Sequence, residues 1–150
     1  MPPKEPTSNL VFEAVLLRLR DIKSGETFFC SPTVYSKKVQ IENHQCPAIV
    51  VYQAGDEWDS EACGTVELGV RQQMIICLFH DSPETLNRLK ADVEIALKIG
   101  SGYLLRQSAT DPAVTYTLAG PTMAVAGDGL DLGNAQFVLH AIYKRSHGTP

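Results

Sequence analysis

The chain has 150 residues, 44% apolar and 20% charged, with a net charge of −4. That length supports one hydrophobic core without disulfide or metal staples, so a single domain over residues 1–150 is expected, with 1–7 and 146–150 as flexible tails. Residues 1–40 sum to +2, residues 41–70 to −6 and residues 71–150 to zero, so no basic footprint for a phosphate backbone exists. No apolar run approaches the length that spans a bilayer, and Met1-Pro2-Pro3-Lys4-Glu5-Pro6-Thr7 lacks a signal peptide's apolar core. Synthesis in the cytosol is the expectation.

In chain order, Ser8 offers an N-cap, and Val11, Phe12, Val15, Leu16, Leu19 and Ile22 fall on one side at 3.6 residues per turn. A helix over residues 9–22 follows, with Gly25 as its stop. Residues 34–41 suggest a short edge strand. Pro47 opens the β-branched strand 47–52, and a polar link from Ala54 to Gly64 leads into a long strand from Thr65 to His80. The first half of that strand alternates and the second is apolar on both sides, so its second half should be covered twice. The two strands read as a hairpin.

Ser82-Pro83-Glu84 starts a second helix, with Ser at the cap, Pro in the first helical position and an acid in the first turn. Leu86, Leu89, Val93, Ala96 and Leu97 form its core stripe, and Gly100-Ser101-Gly102 ends it. Strands over 114–118 and 135–145 close the chain, with a tight turn at Gly127-Asp128-Gly129 between them. The expected fold is α+β, in the order α-β-β-β-α-β-β. An antiparallel-rich mixed sheet should carry both helices packed on one face.

No residue constellation points to catalysis. His80 is the strongest candidate, but His80-Asp81-Ser82-Pro83 reads better as a strand-to-helix turn. Cys30, Cys46, Cys63 and Cys77 include no C-x-x-C pair, which argues against zinc, and cytosolic context argues against disulfides. Gly127-Asp128-Gly129-Leu130-Asp131 lacks the acids of a calcium loop, and the other glycines fit no phosphate-binding pattern. The expectation is no catalytic, cofactor or metal site, with a small cytosolic enzyme using His80 or a cysteine as the alternative class.

Two features point instead to protein contacts. Leu10, Ala14 and Leu17 lie opposite the main stripe of the first helix, and Ile95 and Ile99 opposite that of the second. Single surface aliphatics are ordinary, but two two-sided helices favour subunit docking. The acidic link Asp56-Glu57-Trp58-Asp59-Ser60-Glu61 holds the only tryptophan, a residue common at interface centres. Its acids Asp56, Glu57, Asp59 and Glu61 should stay in water or against a partner, because burying an unpaired carboxylate is very unfavourable.

The layout resembles a known family. The strand Cys46-Pro47-Ala48-Ile49-Val50-Val51-Tyr52 follows an N-terminal helix, and an acidic link then leads to a long strand. After these come Asp81-Ser82-Pro83-Glu84-Thr85-Leu86-Asn87-Arg88-Leu89-Lys90-Ala91-Asp92-Val93-Glu94 and a closing strand, Gly133-Asn134-Ala135-Gln136-Phe137-Val138-Leu139-His140-Ala141-Ile142-Tyr143-Lys144-Arg145. Over residues 9–145 this is similar to the tail terminator proteins of long-tailed bacteriophages, the minor tail protein family related to the lambda tail terminator. The resemblance implies a virion protein forming a ring, usually of six subunits, that caps the tail tube and joins it to the head. Its partners would be further copies of itself, the tail-tube protein and a neck or head-completion protein, with DNA only in passing and no membrane. A neighbouring neck or head-completion protein is the alternative within the same class. The four cysteines and the long 100–113 stretch depart from the family pattern.

Overall fold

The computed structural model describes residues 3, 5–42, 45–59, 67–97, 114–124 and 133–146. The elements are α1 (Thr7–Arg20), β1 (Thr33–Tyr35), β2 (Ala48–Asp59), β3 (Glu67–His80), α2 (Pro83–Leu97), β4 (Thr115–Ala124) and β5 (Gly133–Ser146). The five strands form one sheet in the order β1-β2-β3-β5-β4. β1 is parallel to β2 and every other pairing is antiparallel. This is the expected α+β fold, with the expected element order.

Both helices lie against one face of the sheet. Val11, Val15, Leu16, Leu19 and Ile22 join Leu86, Leu89, Val93 and Leu97 in a single core with Ile49, Val51, Met74, Ile76, Leu78, Phe137 and Leu139. The strand residues recur at every second position, as the pleat requires, and the helix residues recur at helical spacing. Burying the largest of these side chains contributes roughly 1.5–3 kcal/mol each. On the opposite face, Ile41, Ala48 and Val50 pack with Tyr35, Val39, Cys46, Tyr52, Cys77 and Phe79. This second cluster covers the apolar half of β3 on its far side, as its unbroken hydrophobicity predicts.

Several boundaries differ from the sequence reading. α1 starts at Thr7, which is buried, so the helix takes in part of the expected tail. Ser8 does not cap it. The cap position is Pro6, whose carbonyl accepts the Asn9 and Leu10 N–H groups, while the Ser8 carbonyl accepts from Gln72 of the sheet. The C-cap is Asp21 rather than Gly25, after Arg18 and Arg20 in the last turn, where cations favour the helix dipole. The edge strand over 34–41 shrinks to three residues, because the chain beyond Tyr35 leaves the sheet to form the second cluster. At the other end, Ser146 pairs with Glu67 and belongs to β5.

The main correction concerns the link from Ala54 to Gly64. Residues 54–59 are the outer half of β2, in register with β3 from Gly55↔Gln73 to Asp59↔Gly69. A bulge between Gln53 and Gly55, with Gly55 at φ +123°, absorbs one residue and resets the alternation. Acidic sequence is a poor strand former, but β3 offers a paired template, and pairing overrides propensity. Ser60 to Gly64, and the turn expected at 127–129, lie outside the described residues.

Candidate functional site

At the end of the sheet where β3 runs into α2, the His80 corner is a helix cap. The Thr85 N–H donates to Ser82 Oγ at 3.3 Å, and the two hydroxyl oxygens are 2.8 Å apart. His80 Nδ1 receives the Asp81 N–H at 2.8 Å, with Thr85 Oγ1 at 2.8 Å and Asp81 Oδ1 at 2.6 Å. Every one of these contacts converges on a single ring nitrogen and on the first turn of α2. Such a network orders the helix start and aims no activated nucleophile at a substrate.

Cys30, Cys46 and Cys77 all have thiols shifted toward the neutral form. Burial, reinforced by the Asp92 carboxylate beside it, pushes Cys30 up to about 11. Burial also raises Cys46 and Cys77; Asp81 adds to the shift at Cys46, while Lys38 and Tyr52 draw Cys77 partly back. A nucleophilic thiol needs the opposite shift. Among the described residues, no group of three or more His, Cys, Asp or Glu side chains could hold a metal ion. Cys63 lies outside the described residues.

The outer surface of the helical layer is where apolar side chains meet solvent. Leu17 on α1 is 50% exposed, Ile95 on α2 is 41% exposed, and Phe29, in the connection after α1, is 62% exposed. Leu10 is half-buried, and Ala14, expected on this outer stripe, is buried in the core. Ile99 lies outside the described residues.

Phe29 was not singled out from sequence, and its position rests on a group that sequence reading also passed over. Asp92 is fully buried, and its carboxylate accepts the N–H of Phe29 at 2.9 Å and that of Cys30 at 2.8 Å. The carboxylate thereby fixes the connection after α1 against α2, across about sixty residues of sequence. Arg88 lies over the exposed Phe29 ring at 5.9 Å and is held by Glu84 one turn earlier, at 2.8 Å. The only sequence signal was an acid at helical spacing from Leu89, within the core stripe.

At the other end of the sheet, among the described residues, only β2, β3 and β5 continue. Trp58, Glu57 and Asp56 stand opposite Val70, Arg71 and Gln72, so they are strand residues rather than the tip of a link. Val70 in turn pairs with Tyr143, and both are buried. Beside them Gln72 is buried and hydrogen-bonded throughout. Its Nε2 donates to the Ser8 carbonyl at 3.0 Å and to Gln53 Oε1 at 3.2 Å, while Tyr143 donates to its Oε1 at 3.4 Å. This network ties the start of α1 to the sheet. Glu61 lies outside the described residues.

Compared with known proteins, the chain matches no family model, and no curated protein matches it by sequence. Its fold is similar to that of a chain in a solved structure described as the virion of a native gene transfer agent particle. The TM-score is 0.60 and the identity 15%, over 95% of this chain and 100% of that chain. Among the described residues, no helix is long and apolar enough to cross a membrane.

Proposed function

We propose that this chain is a structural virion protein that forms a ring, with six subunits as the expected number, capping a tail tube and joining it to the head. The observation that carries the reading is the whole-length likeness of fold to a chain of a phage-like virion particle. The resemblance of layout to tail terminators, noted from the sequence, is in keeping with this reading. So is the surface: Leu17, Ile95 and Phe29 are exposed aliphatic and aromatic groups on the helical layer, suited to contacts with the next subunit or the tube. Leu10, Trp58 and Ile99 complete the contact set proposed from sequence.

The protein acts through these contacts and not by catalysis, since the His80 network closes on a helix cap and the Cys30, Cys46 and Cys77 thiols are shifted toward the neutral form. Asp56, Glu57, Asp59 and Glu61 make the 54–64 stretch repel phosphate, so a ring bearing them at its lumen or rim passes DNA without holding it. Electron microscopy of the particles tests the reading, with a ring of identical copies at the head–tail junction as the expected result. Single copies there, or the chain's absence from particles, refute it.

A further inference from the structure

The connection after α1 is built around one outward aromatic side chain. Phe28 and Cys30 pack against the main core, so Phe29 between them points away from it and is 62% exposed. The chain on either side is clasped on itself. The Ser24 N–H donates to Ser31 Oγ at 2.8 Å, the Ser31 hydroxyl to Ser24 Oγ at 3.1 Å, and the Gly25 N–H to the Phe28 carbonyl at 3.1 Å. Asp92 pins the same segment to α2. Its two oxygens accept the Phe29 N–H at 2.9 and 3.2 Å, and one of them also accepts the Cys30 N–H at 2.8 Å.

Asp92 stands on the core side of α2, fully buried beside Leu89 and Val93. An apolar side chain would fill that site without taking a charge out of water. What the carboxylate adds is a fixed place for two adjacent N–H groups, and with them for the Phe29 side chain. The ring is held as well. Arg88, one turn before Asp92, lies over it at 5.9 Å and is itself held by Glu84 at 2.8 Å. An exposed aromatic group fixed at both backbone and ring loses little freedom when a partner closes on it, which favours tight contact. Aromatic and arginine side chains are also the groups that most often anchor protein interfaces.

Leu17, Phe29 and Ile95 are the large apolar side chains exposed among the described residues, and all three lie on the helical layer. The apolar part of a contact between identical copies has to come from the chain's own surface, so in a ring the group that meets Phe29 belongs to a second copy. We propose that Asp92 is a positioning residue for that contact: its buried carboxylate sets the connection after α1 so that Phe29, backed by Arg88, projects as a rigid anchor into the next copy. Ile95 lies two turns beyond Arg88 on the same side of α2 and extends the anchor along the helix. The proposal rests on the ring reading above and names the residue that shapes its contact.

The test uses the full chain in sedimentation velocity over a wide range of protein concentration, with thermal unfolding of every variant beside it. Phe29→Ala should unfold close to the wild type and need at least roughly tenfold more protein to assemble. Asp92→Asn keeps the shape of the side chain but turns one acceptor into a donor facing an N–H, and it should also weaken assembly. The double variant should do no worse than Phe29→Ala alone, because Asp92 acts through Phe29. Ile76→Val, which destabilises the sheet core, should assemble like the wild type and separates positioning from general loss of stability. Should Asp92→Asn not fold, Ser31→Ala takes its place in the cycle: it loosens the same connection from the exposed side, with a loss on the order of threefold expected. Should the wild type assemble only in particles, incorporation of each variant is the same readout. Phe29→Ala that assembles like the wild type, losses that add in the double variant, or an Asp92→Asn loss no greater than that of Ile76→Val overturns the positioning role and leaves the ring reading standing. A wild-type chain that is monomeric in solution and single-copy in particles overturns both.

Discussion

β3 and β5 pair with each other along their whole length, yet their two halves lie in different surroundings. From Met74 to Leu78, with Ala135 to Leu139 opposite, the helix-facing residues are buried, and part of the other face is closed by the second cluster. From Gly69 to Gln73, Val70 and Gln72 are buried on the helix-facing side, while Arg71 between them is exposed. One pair of strands thus passes from a region closed on both faces into one closed on the helix-facing side. The difference follows from what covers each half, since the hydrogen-bonded ladder is common to both.

The comparison breaks most sharply at Phe137 and Ile142, which occupy opposite faces of β5. Phe137→Ala empties a fully buried site and should cost about 3–5 kcal/mol, while Ile142→Ala, half-buried on the other face, should cost under about 1.5 kcal/mol. Urea unfolding of both variants measures the gap, and equal losses would show that the far face is as closed as the helical one. Next in size, Asp92→Ala should cost about 2–4 kcal/mol by stranding the Phe29 and Cys30 N–H groups. Hydrogen exchange should then speed up at those two amides ahead of the sheet.

Gly120→Ala should cost about 1–3 kcal/mol. Gly120 has φ +105°, and a Cβ there would come within 2.9 Å of the Gln136 carbonyl oxygen. Gly55→Ala keeps a similar strain but meets no neighbour, so it should be the milder of the two in thermal unfolding. The smallest stability effects belong to the outward residues. Leu17→Ala and Ile95→Ala should each change unfolding by about 0.5 kcal/mol or less while weakening assembly. A large loss of stability with assembly intact would place them in the core instead.

Cys30 gives a pH-dependent version of the same contrast. Its thiol is raised from 9.0 to about 11 in the folded chain. Below pH 9 the thiol is neutral in both states and its contribution is fully present. As pH rises from 9 to about 11 the unfolded thiol ionises first, so stability falls across that window. Stability of Cys30→Ser, compared with the wild type from pH 8 to pH 11, should show a smaller loss. At pH 8, modification of native Cys30 by a thiol reagent should lag behind that of the unfolded chain.

The sequence by itself determined α2, its Ser82 cap, the strands β3 and β5 and the core stripe of α1. In each case the signal is a repeated spacing of apolar residues or a cap within one turn, both local consequences of backbone geometry. Of the residues read as the helices' outer stripes, Leu17 and Ile95 are exposed and Ala14 is buried, because coverage of a helix depends on residues outside its own spacing pattern. Only the tertiary structure decided that β1 runs parallel to β2, that β5 lies between β3 and β4, and that 54–59 is strand. Those outcomes depend on which edges meet, and a strand edge has no signature in its own sequence. The same holds for Asp92 and Gln72. A buried carboxylate and a buried amide are tolerable only where distant N–H groups, carbonyls and hydroxyls arrive to satisfy them, and those partners are supplied by the fold.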